Sequence, residues 1–405
     1  MSAIPSAPQP ESRRALALST FSFTICFAVW TIFSIIGIQI KQQLSLTETQ
    51  FGLLVGMPIL TGSLVRIVLG VATDRLGGRA VYSLTMLAAS VATFLLSQAT
   101  TYPQMLLAAL GVGLAGGSFA VGVAYVSRFF DGARQGTALG IFGVGNIGAA
   151  VTKFIAPFVM IAFGWQVTAQ VWAGALALTA ILFWFLSKDD PITAARRGTK
   201  APLRSLRAEF APLKNIQVWR FSAYYFFSFG AFVALALWLP HYLIGVYGFD
   251  VKTAGMVGAA YSIPASIFRA YGGVLSDKIG ARTVLYWTLG VSLLATAILS
   301  LASGLSLPLF LAVIFTLGFF MSLGKAAVYK HIPTYYPQNV GAVGGLVGMI
   351  GGLGGFLLPL LFGWLHDTTG LWSSCFMVLF GLVAFCLVWM HLSVRRLTQS
   401  TLQAV

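Results

Sequence analysis

Long apolar runs, each broad enough to cross ~30 Å of hydrocarbon, recur along the chain between short polar breaks. They predict helices over 15–40, 49–73, 80–99, 104–127, 135–163, 167–187, 219–247, 252–275, 283–303, 306–331, 340–365 and 371–393. No run alternates apolar and polar positions as a membrane barrel strand does, so helices are the only spanning structure available. Six runs precede a polar stretch at 188–218 and six follow it. The other breaks are short, which makes consecutive helices antiparallel neighbours. The pattern predicts an all-α integral membrane protein with a tail at 1–14, a six-helix bundle at 15–187, a linker at 188–218, a second six-helix bundle at 219–393 and a tail at 394–405.

Composition agrees. Of 405 residues, 58% are hydrophobic and 9% charged, which excludes a soluble domain. The 44 glycines would weaken soluble helices but suit close helix contact in lipid. A net charge of +15 invites a nucleic-acid reading, but the placement of the bases argues against one. With the N-terminus in the cytoplasm, 18 of the 25 Lys and Arg fall in cytoplasmic tails and loops, and only Lys41 and Lys252 lie in outside loops. The positive-inside rule accordingly places both termini in the cytoplasm. The polar first 14 residues lead into an apolar run too long for a secretory signal and lacking a small-residue cleavage site, so the first helix is expected to be retained. Cys26, Cys375 and Cys386 fall within spans at no ligand spacing, and no metal or cofactor is expected.

One cassette is present twice. Arg66-Ile-Val-Leu-Gly70-Val-Ala-Thr-Asp74-Arg75-Leu-Gly77-Gly-Arg79 is matched 203 positions later by Arg269-Ala-Tyr-Gly-Gly273-Val-Leu-Ser-Asp277-Lys278-Ile-Gly280-Ala-Arg282. The two predicted bundles are therefore pseudo-symmetric. Arg66 lies eight residues before Asp74, about 12 Å into the membrane at ~1.5 Å per residue. Arg66 and Arg269 thus both approach the midplane, where an arginine costs at least ~2.5–3.5 kcal/mol unless it meets a cavity or partner.

The partner is what the chain lacks. All ten acidic residues fall in tails, loops or terminal turns of the predicted spans, whereas Arg66, Lys153, Arg269 and Lys325 lie inside them. Buried cations without buried anions call for a mobile counter-ion, and a planar guanidinium fork fits a planar oxyanion. Backbone carbonyls could satisfy both arginines instead; their symmetric placement favours the anion.

The duplication extends further. Gly136, Gly140 and Gly143 in the fifth helix correspond to Gly341, Gly345 and Gly348 in the eleventh, at an offset of 205. The repeated G-x3-D-R-x-G-x-R element, twelve spans and a basic central loop together resemble the major facilitator superfamily over the whole chain. In mechanical terms, Asp74 and Asp277 beside Arg75, Arg79, Lys278 and Arg282 are placed to latch one bundle against the other by charge-assisted pairs. A solvated turn that only sets topology is the plainer alternative.

Gly143, Gly145 and Gly148, in Gly143-Val-Gly-Asn146-Ile-Gly148, and Gly348, Gly351 and Gly352 in the eleventh helix give flat faces that let helices approach. This pairing, joined to arginines on helices 2 and 8, resembles the nitrate/nitrite porter family, which implies a place in a bacterial cytoplasmic (inner) membrane. The resemblance implies an anion held between Arg66 and Arg269 and sandwiched by aromatic rings. It assigns those rings to Tyr225 and Phe229 of helix 7, with Tyr224 as a register alternative, and to Phe119 of helix 4. Asn146 matches an asparagine that donates to the anion.

Helix 10 carries Gly324-Lys325-Ala-Ala-Val-Tyr329-Lys330-His331, and with Tyr335-Tyr336-Pro337 it resembles the proton-coupled branch. Lys325 and Tyr329 are thereby candidates for proton coupling. A lysine that snorkels to the cytoplasmic end is the alternative for Lys325, as snorkelling to the outer face is for Lys153. The expectation is a monomeric nitrate (and nitrite) carrier working by alternating access, most simply with protons. Nitrate/nitrite antiport is the alternative, favoured by the lack of any intramembrane carboxylate; a non-transporting nitrate sensor belongs to another class. An organic-anion or phosphate-ester carrier is disfavoured, because related carriers place their arginines on helices 1 and 7, where this chain has none inside the membrane. No nucleophile–base pair or nucleotide loop points to an enzyme.

Overall fold

The computed structural model describes residues 9–46, 48–199, 206–249, 251–301 and 305–402. Residues 1–8 and 403–405 of the expected tails and 200–205 of the expected linker lie outside the described residues. Among those described there is no strand. Ten helices are long and apolar enough to cross a membrane, and two of these, Gln135–Leu186 and Met256–Ser300, are 52 and 45 residues long. That is about twice the ~20 residues one crossing needs. Each folds back at a glycine with left-handed backbone, Gly164 at φ 85° and Gly280 at φ 88°. A side chain would strain such a turn, and glycine does not. Ten helices therefore make twelve crossings.

The crossings are α1 (9–43), α2 (Glu48–Leu76), α3 (Gly78–Leu96), α4 (Tyr102–Ser127), α5 (135–163), α6 (165–186), α7 (216–247), α8 (Val251–Leu275), α9 (Ala281–Leu301), α10 (Leu307–Tyr335), α11 (Val340–Thr369) and α12 (Ser374–Leu402). Local chemistry sets several starts. Thr101 and Gln104 form a reciprocal capping box ahead of α4, and the Asn215 side chain accepts from Gln217 N at 2.9 Å to start α7. Gly77, at φ 91°, turns α2 into α3 as Gly280 turns α8 into α9. The repeated cassette is thus a repeated corner.

Several expected boundaries move. The stretch 188–218 is largely helical, with helices at Pro191–Thr199 and Leu206–Phe210, and α7 begins at Ile216. Asp190, expected in an open loop, is fully buried. It caps the linker helix by accepting from Thr193 N at 3.0 Å and Thr193 Oγ1 at 2.7 Å, with Pro191 at the first helical position, where its missing N–H costs nothing. α10 continues past 331 to Tyr335, so His331 lies inside a helix.

Glycines set the closest approaches between halves. A Cβ on Gly70 or Gly341 would overlap the other's carbonyl where α2 crosses α11, and Gly273 and Gly136 stand in the same relation where α8 crosses α5. Side chains larger than hydrogen would separate these backbones. At the end that carries the linker, each crossing is closed by an aspartate. Asp74 accepts from Gly341 N at 3.1 Å and Ala342 N at 2.9 Å. Asp277 accepts from Gly136 N at 3.0 Å, Thr137 N at 2.6 Å and Thr137 Oγ1 at 2.7 Å. Each carboxylate therefore caps the first turn of a helix in the opposite half, where free N–H groups and the helix dipole both favour an anion.

The bases at these corners differ from those expected within the cassette. Arg128 Nη2 meets Asp74 at 2.6 Å, and Arg128 Nη1 lies 3.5 Å from Asp190. Lys330 Nζ meets Asp277 at 2.6 Å. Arg79 instead donates to the Trp184 carbonyl at 3.1 and 2.7 Å, while Lys278 and Arg282 are exposed. The reason is helical periodicity: a residue next to an inward-facing aspartate cannot share its face. Arg128 and Lys330, at the ends of α4 and α10, stand 202 positions apart. That repeat was available in the sequence as a signal for both.

Candidate functional site

α2 and α8 bring Arg66 and Arg269 to the centre of the molecule, each only 1% exposed. Both guanidinium groups lie over one ring, that of Phe119 on α4, with Cζ atoms 5.4 and 4.9 Å from its centroid. Tyr225 on α7 presents a ring parallel to Phe119, with centroids 6.4 Å apart and planes at 6°. Phe229 stacks on Tyr225 at 5.1 Å and 7°. Tyr329 on α10 stands edge-on to both Phe119 (4.9 Å, 80°) and Tyr225 (4.7 Å, 75°), with its hydroxyl donating to Gly344 O at 3.0 Å. Phe119, Tyr225, Phe229 and Tyr329 thus form one aromatic layer around the arginines. Tyr225, not Tyr224, faces Arg269, with its hydroxyl 3.4 Å from Nη2.

The two arginines are held differently. Arg66 donates from Nε to Gly116 O at 3.2 Å and from Nη1 to Gly348 O at 2.7 Å, so carbonyls from α4 and α11 fix it. Arg269 has only the long contact to Tyr225, and its Nε and Nη1 have no hydrogen-bond partner. Such unpartnered buried donors are costly.

The glycines of the two rich segments do two jobs. Gly140 and Gly345 meet backbone of α8 and α2. Others make room for side chains at the centre. A Cβ on Gly143 would overlap Arg269 Nε, one on Gly351 would overlap the Tyr225 ring, and one on Gly352 would overlap Ser63 Oγ. A Cβ on Gly348 would come within 2.7 Å of the Tyr329 hydroxyl and 3.2 Å of Arg66 Cδ. Gly145 and Gly148 seat α5 on Phe23 and on the Thr24–Ala28 backbone of α1.

Two local irregularities lie at this layer, and the hydrophobic pattern did not predict either. α5 tightens to a 3-10 turn over Val144–Ile147. α7 widens to a π-helix over Phe226–Ala231, the segment that carries Phe229. Such insertions re-aim side chains and occur often at functional positions. Trp30 is a further residue that sequence reasoning missed: its ring centroid is 5.5 Å from Arg66 Cζ, and its Nε1 donates to Pro58 O at 2.6 Å.

The remaining candidates separate. Asn146 is buried, and neither of its amide atoms has a hydrogen-bond partner. It lines a cavity of about 120 Å³ that lies on the side of the aromatic layer away from the linker. Lys325 does not snorkel. It is fully buried, its Nζ lies 3.2 Å from the Phe232 ring centroid, and it has no hydrogen bond. Lys153 is exposed and lines the same cavity as Asn146.

The comparisons with known proteins agree with this architecture. A model of the Major Facilitator Superfamily matches residues 18–305 and 246–404. The Escherichia coli fucose:proton symporter aligns in structure with a TM-score of 0.75 over 94% of this chain and 99% of its own, at 15% identity, which speaks for the fold alone. The chain is 42% identical to a probable nitrate/nitrite antiporter of Thermus thermophilus, over 98% of this chain and 94% of the relative. It is 34% identical to a probable nitrate transporter of Staphylococcus haemolyticus, over 91% and 94% respectively. Twelve crossings in two halves, a twice-built corner and this degree of identity identify a transport protein, not an enzyme: the chain belongs to the nitrate/nitrite porter family of the major facilitator superfamily.

Proposed function

We propose that this protein carries nitrate, and nitrite with it, across the bacterial cytoplasmic membrane by alternating access. The single observation that carries this reading is a pair of buried guanidinium groups converging on Phe119, one with two unpartnered nitrogens. A small oxyanion is the missing acceptor. The parallel Phe119 and Tyr225 rings, with centroids 6.4 Å apart and planes at 6°, present flat faces beside the two guanidinium groups. That favours a planar anion over a tetrahedral one. The names of the relatives in Thermus and Staphylococcus support nitrate as that anion.

The clasps of Asp74 and Asp277 join the halves at the linker end, while the cavity lies beyond the aromatic layer. With the linker end cytoplasmic, as the distribution of bases predicts, this reads as an outward-facing state with its cytoplasmic gate shut. Transport then requires the clasps to open and the α2–α11 and α5–α8 crossings to pivot on their glycines. One chain contains the complete site, so a monomer suffices.

Coupling to protons is the reading we favour. Lys325 supports it: a fully buried lysine without a hydrogen bond can release its proton, which a guanidinium cannot, and Tyr329 stands beside the arginines. Nitrate/nitrite exchange is the second reading, favoured by the antiporter name of the Thermus relative. The test is nitrate uptake into nitrite-free proteoliposomes, with and without an inward proton gradient. Symport predicts accumulation driven by the gradient and lost in Lys325→Gln. Uptake only after nitrite is loaded inside would establish exchange. Absence of any nitrate flux in either arm would overturn the transport reading.

A further inference from the structure

The cavity beyond the aromatic layer has a mostly apolar wall, including Phe27, Trp30, Phe154, Phe229 and Phe232. Its floor is formed by Trp30 and Phe229, whose rings lie 5.5 and 5.6 Å from Arg66 Cζ. An anion arriving from this side must shed water and dwell above that floor before either arginine can take it. In an apolar cleft, each stop needs a positive charge or a free donor.

The lining offers few. The hydroxyls of Thr31, Ser34, Ser262 and Ser266 all donate to carbonyls of their own helices. Asn146 is different: it is 94% buried (6% exposed), and both amide atoms lack a partner. Lys153 is the one charged residue among the described lining, and it has no described hydrogen bond or ion pair. Both stand on α5, seven residues apart. That spacing is two turns, so they share a face and are separated by ~10 Å along the axis.

We infer that Lys153 is the entry point of a capture relay along this face of α5: it takes a small monovalent anion at the mouth of the cavity, ahead of Asn146, which the family resemblance already assigns to the anion. The inference rests on the proposed anion transport. It makes Lys153 a site of first contact, where the ammonium concentrates anions at the mouth as a charged cleft does.

The test is nitrate transport in oriented proteoliposomes, with nitrate supplied to one face at a time, for the wild type, Lys153→Gln and Lys153→Arg. For nitrate at the cavity face, K153Q should raise KM about fivefold at low ionic strength, what one unit charge at contact distance in water is worth. Its kcat should be unchanged, and the difference should shrink in high salt. K153R should behave as the wild type, and nitrate at the linker face should show no change. An unaltered KM at the cavity face, or a fall in kcat equal from both faces, would overturn the relay while leaving the transport reading intact. A wild type without saturable nitrate flux would overturn both.

Discussion

Arg66 and Arg269 occupy the same place in the same cassette, yet one is tied down and the other is not. Arg66 is held by carbonyls of Gly116 and Gly348. Arg269 presses against Gly143, the counterpart of Gly348, and receives no carbonyl from it. The helices opposite explain the contrast. α11 is helical throughout Val340–Thr369, whereas α5 tightens to a 3-10 turn immediately after Gly143. Duplication supplied two like charges, and a local change of helix type gave them different work. Arg66 is fixed by two carbonyls, and Arg269 keeps unpartnered donors, which the proposed function gives to the anion.

The largest expected effect breaks this comparison directly. Arg269→Ala should lower nitrate affinity by about 100-fold or more, because two charge-assisted hydrogen bonds at ~1.5–3 kcal/mol each are lost. Its Tm in detergent should hold or rise, since a buried cation with unpartnered donors is gone. Arg66→Ala should also lose nitrate binding, but with a clear fall in Tm, because the two hydrogen bonds that tie α2 to α4 and α11 are lost. Equal Tm changes in the two variants, read alongside calorimetric nitrate titration, would mean that the asymmetry has no energetic weight.

Next comes the glycine pair. Gly143→Ala drives a methyl into Arg269 Nε, while Gly348→Ala meets the Tyr329 hydroxyl at 2.7 Å and Arg66 Cδ at 3.2 Å. Overpacking of ~1–3 kcal/mol should cost Gly143→Ala about tenfold in kcat/KM for nitrate uptake. Gly348→Ala should cost less, since a tyrosine hydroxyl can swing aside more easily than a packed guanidinium. The reverse order would place the critical contact on α11.

At the linker end the two halves are more nearly equal. Asp74 and Asp277 cap opposing helices through matching N–H groups, each beside a base near the linker end of the fourth helix of its half. Asp74 is the more buried and has two N–H groups and Arg128 around it. Asp74→Asn and Asp277→Asn should each shift the balance of access states toward linker-side opening by about fivefold, the weight of one charge at a helix N-terminus at ~1 kcal/mol. Spin-label distances across the linker end read this directly. Unchanged distance distributions in both variants would reduce the corners to topology signals.

These contrasts show what the sequence carries and where it stops. Apolar runs between polar breaks were enough to read the twelve crossings, and the cassette repeat was enough to bring both arginines to one level. Residues next to Asp74 and Asp277 in sequence were taken as their partners; the true bases come from Arg128 and Lys330, which only the offset between halves could have revealed. The 3-10 turn in α5 and the π-helix in α7 leave no mark in hydropathy, because both keep the apolar pattern while changing hydrogen-bond spacing by one residue. The distinction between Arg66 and Arg269 depends on which carbonyls face them, and carbonyls are the same at every position.

The smallest effect concerns the ring that faces Arg269. Tyr225 offers the site a flat face and a hydroxyl, and the hydroxyl sits 3.4 Å from Arg269 Nη2, long for a charge-assisted bond. The stacked pairs with Phe119 and Phe229 involve only the ring. Tyr225→Phe should therefore keep the ring faces and lower nitrate affinity by only about threefold, the low end of the ~0.5–1.5 kcal/mol of an ordinary hydrogen bond. Tyr225→Ala, which removes the ring, should cost far more. A large loss in Tyr225→Phe would mean that the hydroxyl itself reaches the anion, and the free donors of Arg269 would then share their ligand with α7.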